Sequence, residues 1–183
     1  MGLIGHNSGL SLAGGASWRR HCWTVARAQL LPTLPIEVVR LRVRRARELG
    51  LDYKTYASVR ASTGHDVVAF LFSSNALRVS VQLPVMPTER AEKLATVLAD
   101  RIGLAVAPLP PLTLAQTGVL DSAHAAPFAL AKFADIRMAL RTALGKLPGD
   151  QVLLVGDMAL ERDWCAAGRL AGYLPADRFF AAQ

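Results

Sequence analysis

Five arginines fall within eight positions: Arg40, Arg42, Arg44, Arg45 and Arg47. Guanidinium groups stay charged and carry forked donors that match phosphate and carboxylate oxygens, so a cluster this dense is suited to holding anions. A second set of residues offers different chemistry. Val152 to Val155 is a short apolar run closed by Gly156-Asp157, with Glu161 and Asp163 close behind. Open α/β sheets place their ligands where a strand hands over to a helix, and carboxylate oxygens there suit a hard cation. The same Asp157 would serve equally as an N-cap, which needs only a backbone N–H partner. Ser73 and Ser74 follow the apolar run Val67 to Phe72 and put two hydroxyls at the end of another candidate strand.

The charge is unevenly spread. Residues 1–60 hold ten Lys and Arg against three acids and carry all of the chain's net +7. Residues 61–183 hold eleven of each and sum to zero. Such a patch attracts nucleic acid, anionic lipid or an acidic protein surface.

Other chemistries lack their patterns. His21-Cys22, His65-Asp66, His124 and Cys165 show no metal-ligand spacing. Ser73-Ser74-Asn75 lacks the glycine-framed elbow of a serine hydrolase, and no Gly-Lys-Ser/Thr follows Gly14-Gly15. The longest uncharged run, 102–120, is broken by prolines and is not expected to span a membrane. Without a basic start or a myristoylation serine, and with two distant cysteines read as reduced thiols, the chain is expected in the cytoplasm.

The elements that would position these residues follow from caps and periodicity. Residues 1–16 read as a flexible tail, 17–64 as a basic helical arm and 65–183 as an α/β body forming one unit with the arm. A helix is expected over 17–31, carrying Trp18 and Trp23, and another from Thr33 to Gly50. In the second, Ile36, Val39, Val43 and Ala46 form an apolar stripe, with Arg40, Arg44 and Arg47 in a row beside it. Asp52 should cap a further helix that Gly64 stops. Val67 to Phe72 reads as a buried strand, with a helix capped by Asp66 as the alternative. Val79, Val81 and Leu83 alternate as a short strand would. Thr88 should cap a helix over 89–102, followed by a proline-broken connection over 104–112, and Thr113 with Gln116 looks like a capping box. A helix over 128–144 would turn Phe133, Ile136, Leu140 and Leu144 inward. A strand at 152–155 and a final helix to about Leu170 complete the chain, with Trp164 inward.

Two local resemblances arise from these residues. Residues 42–61, with Ala46, Leu49, Gly50, Leu51 and Val59 at their spacing, resemble the helix-turn-helix of bacterial DNA-binding proteins. The resemblance implies that Tyr53, Lys54, Thr55 and Ser58 face the DNA while Arg40, Arg44 and Arg45 hold phosphates. The segment departs from that pattern at Arg45, where an apolar residue is expected, and at Tyr56, where an aliphatic one is usual. Residues 152–163 resemble the last motif of haloacid dehalogenase-like hydrolases. That likeness implies Mg²⁺ held by Asp157 and Glu161, a phosphate contact at Ser73 or Ser74, and a neutralising Lys132 or Lys146. The family's Asp-x-Asp nucleophile pair occurs nowhere in the chain, so the aspartyl-phosphate route lacks its attacking group.

The expected fold is therefore a mostly helical α/β domain with a sheet of two to four strands and a basic helical N-terminal arm. The expected function is non-enzymatic docking of an anionic partner, DNA or RNA first, through the arginine helix. The alternatives are a dehalogenase-like hydrolase or its inactive relative centred on Asp157, and an accessory subunit that binds an acidic protein.

Overall fold

Ala69, Phe70, Leu71 and Phe72 are all buried, so this strand has no solvent face. A strand of that kind needs cover on both sides, which parallel sheets obtain from crossover helices. The computed structural model describes residues 34–181 and has this arrangement. Its contacts divide the chain into two units, Met1–Val39 and Arg40–Gln183. The expected tail, the helix over 17–31, and Thr33, Trp18, Trp23, His21 and Cys22 lie outside the described residues.

Five parallel strands form one sheet: β1 (Ala69–Ser73), β2 (Asp100–Ala105), β3 (Ser122–Ala125), β4 (Val152–Gly156) and β5 (Gly172–Pro175). Their order is β3-β2-β1-β4-β5, so the winding reverses between β1 and β4. Eight α-helices are present among the described residues: α1 (Ile36–Glu48), α2 (Tyr53–Thr63), α3 (Ser74–Leu77), α4 (Thr88–Ala95), α5 (Pro111–Ala115), α6 (Phe133–Leu144), α7 (Glu161–Gly168) and α8 (Ala176–Phe180). One sheet face carries Phe70, Phe72, Leu153 and Val155 against Ala46, Leu49, Tyr56, Leu94 and Phe179. The other carries Leu71, Ile102, Leu104 and Leu154 against Ile136, Leu140, Trp164 and Ala167 from α6 and α7. The molecule is a mixed α/β protein with a doubly wound parallel sheet.

Several expected elements shift, each for a local reason. The helix expected over 89–102 ends at Ala95, because Asp100 to Leu104 join the ladder beside β1. That helix is preceded by Pro87 without a side-chain cap, so Thr88 lies inside it. The connection expected over 104–112 begins later, since β2 runs to Ala105. Val79, Val81 and Leu83 make no strand. Ser80 and Leu83 close a turn on themselves, with Ser80 N–H donating to the Leu83 carbonyl at 3.0 Å and Leu83 N–H to Ser80 Oγ at 3.1 Å. Val81 and Leu83 are left exposed. Thr113 sits within α5 and Gln116 at its end, so no capping box forms. The helix before Leu144 starts at Phe133, whose ring stays exposed under the Arg137 guanidinium instead of turning inward. Ile36, expected in the apolar stripe, is exposed, while Ala46 is buried. The sheet exceeds the expected two to four strands because β3 and β5, both short edge strands, lack a continuous apolar run.

Candidate functional site

In a doubly wound sheet the crevice beyond the carboxyl ends of the strands, where the winding reverses, is the place for a ligand. Here that edge lies after β1 and β4, which brings Ser73, Ser74, Asn75, Asp157 and Glu161 to neighbouring strand ends. The hydroxyls have structural partners. Ser73 Oγ accepts from Ala76 N–H at 3.1 Å and caps α3. Ser74 Oγ accepts from Val106 N–H at 3.1 Å and ties β1 to the end of β2. Both serines are buried.

Glu161, not Asp157, is the organising acid. It is 2% exposed. Its Oε2 accepts from Asp157 N–H at 2.7 Å and Met158 N–H at 3.1 Å, and its Oε1 accepts from Asn75 Nδ2 at 2.9 Å. Gly156 makes room for this carboxylate, because a Cβ there would run into Glu161 and the Tyr173 ring. The cap expected of Asp157 does not form. α7 begins after Leu160 with no side-chain cap, and the Asp157 side chain is exposed. The physical reason is distance along the chain: Asp157 stands three positions before Leu160 at the N-cap, outside the capping turn, and the first N–H groups of α7 bond to the carbonyls of Met158, Ala159 and Leu160. Glu161 instead reaches back to the loop N–H groups of Asp157 and Met158.

Arg90 completes this edge. Its guanidinium donates to the Ala76 carbonyl and stacks 4.4 Å from the Phe180 ring centroid. Burial, with the Arg78 charge nearby, lowers its pKa, and Asp157 and Asp177 oppose that. Lys132 stands at the N-cap position of α6 and is exposed. Lys146 lies in the loop that leads into β4, whereas Asp157 follows β4, so the strand separates the two. Among the described residues no three His, Cys, Asp or Glu gather as a metal site.

The arginine helix has a different geometry. Arg45 is an internal strut. Its Nε donates to Asp66 Oδ2 at 3.1 Å and its NH2 to the Val67 carbonyl at 3.0 Å. Its NH1 reaches Glu48 Oε2 at 3.1 Å and the Leu98 carbonyl at 3.3 Å. Tyr56, buried on the sheet, donates its hydroxyl to Asp66 Oδ1 at 2.8 Å. Burial raises the pKa of that phenol, and the Asp66 bond adds to the effect. The two departures from the helix-turn-helix pattern, Arg45 and Tyr56, thus both fasten the helix pair to Asp66, with Arg60 of α2 adding an ion pair at 3.7 Å. Ala46, Leu49, Leu51 and Tyr56 all enter the sheet core.

Asp52 caps α2, accepting from Thr55 N–H at 2.8 Å and from the Thr55 hydroxyl. Thr55 also takes a 2.7 Å bond from Arg178 NH2 and is buried. Lys54, Thr55 and Ser58 line a depression of about 310 Å³ shared with β5 and Arg178. The face of α2 that would enter a DNA groove is therefore partly turned toward β5, and of its four residues Lys54 and Ser58 are exposed.

Arg40, Arg44 and Arg47 are exposed and Arg42 is half-buried. Arg42, Arg44 and Arg47 have no carboxylate partner among the described residues. Reading the sequence missed Asn75 and Arg90, which carry no spacing signal and join the edge only through tertiary contact.

Set against known proteins, the chain matches no family model, no curated protein and no solved structure. Among the described residues no helix is long and apolar enough to cross a membrane.

Proposed function

We propose that the protein docks a polyanion, nucleic acid before any other, through the guanidinium row of α1, without chemistry of its own. The observation that carries this reading is a division of roles on one helix. Arg45 ties α1 to the loops entering β1 and β2, while Arg44 and Arg47, exposed on the same face as Arg40, have no acidic partner among the described residues. A helix held this firmly presents its charges at fixed spacing, which lowers the entropy lost on binding. The carboxyl edge of the sheet favours a hydrolase less. Its serines and Glu161 are committed to structural bonds, and no nucleophile pair stands beside Asp157. The same reading puts the protein in the cytoplasm, where a thiol such as Cys165 stays reduced.

The test is the salt dependence of binding to DNA and RNA, read by fluorescence anisotropy. Each neutralised phosphate on duplex DNA contributes a slope of about −0.9 in log K against log salt. The R40Q/R44Q/R47Q variant should flatten the slope by roughly two to three units. Binding that ignores salt, or no binding at low salt, refutes the proposal.

A further inference from the structure

Another depression lies away from both regions above. It has a volume of about 490 Å³ and forms where the C-terminal ends of α6 and α7 meet the loop entering β4. Arg137, Arg141, Lys146 and Arg169 line it, and no acidic side chain does. Arg137 uses Nε on the Ala167 carbonyl at 3.3 Å. The side chains of Arg141, Lys146 and Arg169 have no hydrogen-bond or ion-pair partner among the described residues. The neighbouring Asp150 faces away to His65, 3.6 Å from its Nε2.

The plain account of such cations is that they complement two helix dipoles. Each helix C-terminus carries roughly half a negative charge, so two of them offset about one of four positive charges. A surplus near three remains. Arg169 holds φ at 50° as the left-handed cap that ends α7, its N–H donating to the Ala166 carbonyl, a position that glycine occupies without penalty.

We propose that this pocket binds a compact polyphosphate group of the kind carried by nucleoside di- and triphosphates. The surplus charge matches such an anion, the volume lies within the range of small-ligand sites, and forked guanidinium donors suit phosphate oxygens. The proposal does not rest on nucleic-acid docking by α1.

Titration calorimetry of the full chain with sodium triphosphate and with ATP tests it. Both should bind and compete with each other, and R141Q/R169Q should weaken both by about tenfold or more. The R40Q/R44Q/R47Q variant should bind triphosphate as the native protein does. R169G removes the cation while easing the backbone, so it should weaken binding without lowering Tm, which separates lost binding from failed folding. No binding of triphosphate, or binding unchanged in R141Q/R169Q, overturns the proposal. So does R141Q/R169Q weakening DNA or RNA as much as R40Q/R44Q/R47Q does, for the pocket would then be an extension of the nucleic-acid surface.

Discussion

Removing the Glu161 side chain tests the architecture of the carboxyl edge most directly. Three donors converge on its two oxygens, from Asn75, Asp157 and Met158. E161A leaves all three without their partner. A buried polar group so stranded costs about 1–3 kcal/mol. Asp157 and Met158 are exposed and Asn75 is half-buried, so water recovers part of this. The expected loss is about 2–4 kcal/mol, or roughly 4–16 °C in Tm for a chain of this size. E161Q should behave differently. Its carbonyl oxygen can still take both backbone N–H groups, and Asn75 can turn its amide over to accept from the new NH2. The loss then falls to about 1 kcal/mol. D157A should stay within about 0.5 kcal/mol, since that side chain caps nothing. Urea unfolding of the three variants reads these values. An E161A loss under about 1 kcal/mol would refute the brace. An E161Q loss equal to that of E161A, with Mg²⁺ raising the Tm of the native protein alone, would show that Glu161 serves a cation instead.

Three further outcomes are expected. Replacing Arg45 by Met should cost about 2–4 kcal/mol in urea unfolding, because Asp66 and the Val67 carbonyl lose their charged donor; a neutral effect would contradict its role as a strut. The Arg101 guanidinium bonded to Asp121 holds that carboxyl below its ordinary value. Its stabilising contribution is therefore present above about pH 4 and is lost as pH falls through the lower folded value, so D121N should flatten the acid limb of Tm against pH. Burial pushes the Cys165 thiol up to about 11, so at pH 8 little of it is thiolate and it should react with a disulfide reagent at least about tenfold more slowly than a free thiol; reaction at the free rate would mean the site is open.

The sequence alone determined the elements whose residues carry their own signal. The runs 67–72 and 152–155 supply β1, from Ala69, and β4, two of the three interior strands, because burial on both faces demands continuous apolar runs. Asp52 and Gly64 bound α2 as expected, because capping involves only neighbours in sequence. Trp164 turns inward because the helix period requires it. Tertiary structure decided the rest. The edge strands β3 and β5 are too short and too exposed to read, and exist through the strands they pair with. Residues 79–83 have a strand's alternation but no partner strand, so they fold into a turn. The bond between Asn75 and Glu161 spans 86 residues, and the ties from Arg45 to Val67 and Leu98 span 22 and 53. A one-dimensional pattern holds no trace of such pairings. That is why Arg45 reads as one cation among five until the sheet gives it carbonyls to bind.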